Sequence, residues 1–185
     1  MTSPTPDANF QDTGSAEVDL DAGSDYLITV QIAPDYEGPL DAHALDRLAV
    51  DVLRAEGVAG PLELGVLITT DEEVRTLNRD YLGHDYETDV ISFGMAEEEG
   101  PTANEAPRFV TPEERPAYLG DIAISYDRAA EQAPEFGNST NAEVATLLIH
   151  GILHLLGYDD KEDSAREIMH ARQQELLDTL YNSDQ

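Results

Sequence analysis

"HGILHLLGYDD", His150 to Asp160, sets two histidines four residues apart in an apolar run and follows them with Gly-Tyr-Asp-Asp. On an α-helix, residues i and i+4 share one face a turn apart, so both imidazoles reach a common point. Gly157 ends the helix and lets the chain turn back. Asp160 then lies close enough to swing a carboxylate to the same point. Two readings stand on these residues alone: core histidines on a buried helix, or two imidazoles and a carboxylate around an ion. The second set, His150, His154 and Asp160, leaves a coordination position open for water or substrate. Imidazole with carboxylate oxygen suits Zn²⁺, with Ni²⁺, Mn²⁺ and Fe²⁺ also compatible. The residue after His150 is Gly151, so the H-E-x-x-H pattern of zinc proteases lacks its glutamate. That disfavours peptide hydrolysis. Gly151 also removes bulk beside the ion, leaving room for a ligand or for another backbone.

Outward from this stretch, "NAEVATLLIHGILHLLG" predicts a strongly apolar helix, and "KEDSAREIMHARQQELLDTLY" a final amphipathic one. "DRAAEQAPEFG" predicts a short helix, broken or bent near Pro134. "DAHALDRLAVDVLRAEG" has apolar residues at helical spacing and a stop at Gly57. Asp71 is expected to cap a helix through "EEVRTLNRDYL". Strands are predicted at "YLITVQIA", "LELGVLITT", "TDVISFGM" and "YLGDIAISY". The acidic, Pro-rich "AEEEGPTANEAPRFVTPEERP", Ala96 to Pro116, is expected to be a long excursion between two strands. The expected fold class is α+β: a mixed four-stranded sheet packed by about five helices, with the metal site on a C-terminal helix and the turn after it.

The chain has 185 residues, no cysteine, and 39 Asp plus Glu against 10 Lys plus Arg, a formal net charge of −29. Lys161 is the only lysine. Thiolate metal sites and disulfides are excluded. Such a charge opposes the compact state at low salt, and a salt-loving source explains it best. Residues 1–24 are rich in Ser, Thr, Pro, Gly and Asp and are expected to be a disordered acidic tail. Residues 25–181 are expected to form a single domain. The N-terminus has no basic start followed by an apolar run, and no stretch is long and apolar enough to span a bilayer. A soluble cytoplasmic protein with no membrane partner is expected.

"HGILHLLGYDD" resembles the signature of the YbeY family of bacterial endoribonucleases, H-G-x-L-H-L-x-G-Y-D-H. "LNRDYLGHDYETDVISF", "LGDIAIS" and the Ala-rich "DRAAEQA" resemble further family segments in the family's order, and the match covers about residues 25–180. The resemblance implies a mixed four-stranded sheet with helices, one bound zinc, and a single-strand-specific endoribonuclease. It also implies maturation of the 3′ end of small-subunit ribosomal RNA and ribosome quality control. RNA, with the small subunit or its assembly factors, is then the expected partner, and DNA is not. Two departures stand out. The family's third ligand is usually histidine, and Asp160 holds that position; aspartate adds charge and lowers the ion's Lewis acidity. Many members carry arginine directly after the tyrosine of "LNxxY", and here that residue is Leu82.

Arg79, the nearest cation on the same helix, is expected to take over as the catalytic phosphate contact. Asn78, Arg79, His84 and Asp89 are expected to bind substrate, though helix capping and turn chemistry also account for such residues. Arg75 and Arg128 are further cations for RNA. Asp121 is expected either to orient a ligand histidine through its second ring nitrogen or to serve a turn. Phe93 is expected in the strand core or stacked on a base, and His43 and His170 in solvent. Two other functions remain open: a non-catalytic ribosome-assembly factor with a structural metal, or a metal-dependent hydrolase of another substrate.

Overall fold

The computed structural model describes residues 25–94 and 116–181. The expected tail, and all but the last residue of the long excursion, lie outside the described residues.

Four strands form one sheet. They are β1 (Tyr26–Ile32), β2 (Leu62–Thr69), β3 (Val90–Gly94) and β4 (Ala117–Ser125). Their order is β1-β2-β4-β3. β1 and β4 each run parallel to β2, and β3 runs antiparallel to β4. The helices are α1 (Ala42–Ala55), α2 (Asp71–Leu82), α3 (Tyr126–Phe136), α4 (Thr140–Leu155) and α5 (Asp163–Leu176), with a short π-helical turn after α5 at Leu177–Tyr181. This is the expected mixed sheet with five α-helices.

β2 alternates by period two, and that alternation divides the molecule. Leu62, Leu64, Val66 and Ile68 point to one face and are buried there with Ile122 and Ile124 of β4. α1 and α4 cover that face, forming the main core with Leu48, Val52, Leu53, Leu148, Ile149 and Ile152. On the opposite face, α2 lays Val74 and Leu77 over Leu67, Ile91 and Ala123, a smaller second cluster.

Two local expectations change. Thr70, not Asp71, caps α2, its side chain accepting the Glu73 N–H. Both residue types cap well; Asp71 is turned instead to Arg128, 2.9 Å away. α3 is not broken at Pro134 but continues to Phe136 and closes at Gly137, φ 73°. Pro134 sits in the last turn, where little helix remains to be disrupted.

β4 carries a bulge: Glu63 pairs with Tyr118 and Leu64 with Gly120, leaving Leu119 as the extra residue. Gly120 has φ 146°, and a Cβ there would collide with the Phe93 carbonyl oxygen. A bulge re-aims the side chains that follow it. Asp121 consequently points to the α2 side of the sheet, where Tyr118 donates its hydroxyl proton to it. α4 packs on the other side, so Asp121 does not orient a histidine of that helix.

Candidate metal centre

α4 starts at Ser139, whose hydroxyl accepts the Ala142 N–H. It then presents Val144, Leu148, Ile149, Ile152 and Leu153 to the core, each fully buried. That burial fixes the rotation of the helix and turns His150 and His154 out along one edge, both half-buried. Gly151 faces inward. A Cβ on it would lie 2.8 Å from Cγ2 of Ile122, so the helix is pressed directly onto β4. Neither use expected for Gly151 is what fills the space: the neighbour is the Ile122 side chain of β4, not an ion or another backbone. A glutamate at this position would point into the sheet, which removes the protease pattern on structural grounds as well. Gly151→Ala should lower the unfolding free energy by about 1–2 kcal/mol, because overpacking outweighs the roughly 1 kcal/mol gain in helix propensity. Urea denaturation measures it, and a stabilised variant would show that the contact has slack.

After α4, Gly157 takes φ 93° and the chain reverses. Asp159 closes the turn by accepting the Lys161 N–H at 3.0 Å, and that N–H holds its carboxyl below the usual range. Arg166 anchors the Asp160 carbonyl at 3.0 Å. The Asp160 side chain is thereby left near the helix end, Oδ2 3.8 Å from His154 Nε2. One ligand atom from each of His150, His154 and Asp160 falls within 4.8 Å of the others, the one such group among the described residues.

Donor chemistry fits a cation. His150 Nδ1 donates to Gln173 Oε1 at 2.9 Å, and His154 Nδ1 donates to the Tyr158 carbonyl at 3.1 Å. Each partner is an acceptor, so each Nδ1 carries the proton and each Nε2 keeps its lone pair. The two Nε2 atoms face each other 3.0 Å apart. Two lone pairs at that distance repel until a positive centre sits between them. Burial pushes the His150 imidazole below its ordinary pKa, with the neighbouring His154 adding to this and the Gln173 hydrogen bond opposing it. A neutral imidazole is the form that ligates metal. Gln173 and the Tyr158 carbonyl were not among the expected site groups. One lies on α5, 23 residues from its histidine, and the other is backbone, which no residue type announces.

A cavity of about 630 Å³ with a mixed polar and apolar lining opens beside His150. Asp89, Gln132, Glu143, His170 and Gln173 are among the residues that line it. Glu143 is buried and accepts from Asn138 Nδ2 at 2.9 Å. Of the residues expected to meet substrate, Asp89 lies on this wall. Asn78 is 2 % exposed and donates its amide to the Tyr86 carbonyl, holding the connection between α2 and β3. His84 is exposed and stacks on Tyr86, ring centroids 5.4 Å apart. Arg79 is exposed and pairs with Asp80 at 2.8 Å. Arg75 pairs with Asp85 at 2.8 Å, and Arg128 with Asp71 and Glu87. Phe93 sits against Leu67 and Leu77 in the smaller cluster, its ring 5.3 Å from Tyr81.

Known proteins share this chain's pattern. The family model described as Endoribonuclease YbeY matches residues 35–181. A protein named Endoribonuclease YbeY from Roseiflexus castenholzii is 44% identical over 158 residues, covering 85% of this chain and 94% of that one. Its namesake from Bacillus velezensis is 45% identical over 134 residues, covering 72% and 82%. The solution structure of TM1509 from Thermotoga maritima matches with a TM-score of 0.56 and 25% identity, over 85% of this chain and 91% of that one. With nearly the whole folded part matched, this chain belongs to the YbeY family.

Proposed function

We propose that this protein is a zinc-dependent, single-strand-specific endoribonuclease that matures the 3′ end of small-subunit ribosomal RNA and acts in ribosome quality control. The observation that carries the reading is the convergence of His150, His154 and Asp160 in a chain whose relatives are named endoribonucleases. A bound divalent ion supplies Lewis acidity toward a phosphoryl oxygen. The chain's own groups do the rest. Gln173 and the Tyr158 carbonyl hold the imidazole rings in place. The cavity beside His150 offers a nucleotide amide and carboxylate groups without Lys or Arg among its lining. That chemistry suits a base or ribose better than a phosphate, so cations must come from elsewhere.

Arg79, with His84 and Asp89, is proposed to meet the RNA, while Asn78, buried and bonded to the Tyr86 carbonyl, holds the connection between α2 and β3 instead. A guanidinium can grip a phosphate with two parallel hydrogen bonds and stabilise charge on it during displacement. Arg79→Ala should slow cleavage of single-stranded RNA by roughly tenfold or more, with metal content and fold unchanged. An exposed pair with Asp80 alone would be worth little, so an unaltered rate assigns Arg79 to that pair only.

The acidic residues 1–24 are proposed as a tail on one domain spanning residues 25–181, working in the cytoplasm with the small subunit or its assembly factors. Among the described residues no helix is long and apolar enough to cross a membrane. The relatives' endoribonuclease name does not favour a structural-metal assembly factor or another hydrolase. The direct test is incubation with a single-stranded RNA and a matched duplex, with zinc and then with excess chelator. Cleavage of the single strand alone, abolished by chelation and restored by zinc, is expected. Chelator-resistant cleavage would remove the metal from the reaction.

A further inference from the structure

Glu56 is the residue at which α1 ends, and its side chain is 10% exposed. Its two oxygens have different partners. Oε1 accepts from Arg172 Nε at 2.6 Å, and Oε2 accepts from the Tyr158 hydroxyl at 2.9 Å. Arg172 also donates to the Ala55 carbonyl at 3.2 Å, so the end of α1 receives it twice. Both partners belong to the segments that hold the imidazoles. Tyr158 is the residue whose carbonyl takes the His154 Nδ1 proton. Arg172 directly precedes Gln173, whose side chain takes the His150 Nδ1 proton. One carboxylate on a remote helix is tied to both acceptors behind the two histidines.

We infer that Glu56 is a positioning residue of the metal centre, setting the orientation of His150 and His154 through Gln173 and Tyr158. The inference rests on the reading of His150, His154 and Asp160 as ligands. An acceptor on Nδ1 fixes the ring's rotation and raises the basicity of Nε2. Both effects fade once the acceptor drifts. Without the carboxylate, the Tyr158 turn is no longer fastened to α1, and α5 loses its grip there. Glu56→Gln keeps the volume but not the function. An amide has one acceptor oxygen, and its NH₂ would face a second donor.

The test uses Co²⁺, whose visible absorption reports ligand geometry. The full-length Glu56→Gln protein should bind Co²⁺ about tenfold more weakly than the parent, within the range of roughly 10–100-fold for lost outer partners, and with an altered visible band. In the metal-free protein the imidazole Nδ1 protons should exchange faster in NMR spectra. Tyr158→Phe keeps the carbonyl and removes only the hydroxyl, so a smaller loss is expected. The double variant should lose less than the sum of the two, because both act on one tie. Ile28→Val, a mild core destabilisation, serves as control and should leave Co²⁺ affinity unchanged. If Glu56→Gln lowers only the melting temperature and binds Co²⁺ like the parent, the inference is wrong while the ligand set stands. Should Glu56→Gln fail to fold, Tyr158→Phe decides, and parental affinity there overturns it. A parent that binds no Co²⁺ removes the ligand set and the inference together.

Discussion

His150→Ala is expected to empty the metal centre while leaving the fold in place. The parent should bind one divalent ion per chain. The variant should lose more than about 100-fold in affinity, beyond the effect of removing an outer partner, and cleavage should fall with it. The fold should survive because α4 is held by side chains on its other face: Leu148, Ile149, Ile152 and Leu153 are each fully buried. Metal analysis after gel filtration, with far-UV circular dichroism of the same sample, reads both halves. A variant that keeps one tightly bound ion would show that the ligands lie elsewhere. Protons compete for the same nitrogen. Since burial holds the His150 imidazole below its ordinary pKa, its protonation should require a more acidic solution than that of a free imidazole.

The melting temperature is expected to rise on the order of 10 °C between 0.1 M and 2 M KCl. That corresponds to about 3 kcal/mol at the 2–4 °C per kcal/mol usual for this size. The cause is a net charge of −29 on 185 residues. Unscreened, those acids repel one another and favour the expanded chain. At molar salt the Debye length falls to about 3 Å and only near neighbours still feel each other. KCl is the proper probe, because sulfate would strengthen apolar burial as well. A flat or falling curve would count against a salt-adapted protein. Thermal scans at four or five salt concentrations are sufficient.

The cluster of His150, His154 and Asp160 was legible where its geometry is local. His150 and His154 come from one helical turn, and Asp160 follows a glycine reversal, so spacing alone brings them together. The strands and helices were legible for the same reason, since period two and period 3.6 are short-range patterns. What escaped depends on packing between distant segments. Gln173 and Glu56 meet the site only because α5 and α1 lie where the core places them. Gly151 is free of bulk in any reading, and only the position of β4 decides what fills the space. Asp121 shares a face with Tyr118 only because an extra residue, Leu119, shifts the register of β4 between them. Thr70 and Asp71 are adjacent good caps, and the choice was made by Arg128 reaching over from α3.

The arginines proposed to meet RNA have a thermodynamic consequence. Arg75, Arg79 and Arg128 each already face a carboxylate. Phosphate binding there is an exchange of anions rather than the neutralisation of a bare cation. Each contact releases a counterion from the RNA, and each displaced carboxylate takes one back from solution. The plot of log affinity against log salt should therefore be much shallower than the roughly −0.7 per phosphate contact of single-stranded nucleic acids. Binding of that kind is weak at every ionic strength and nearly indifferent to it, which lets an acidic protein work on a polyanion in concentrated salt.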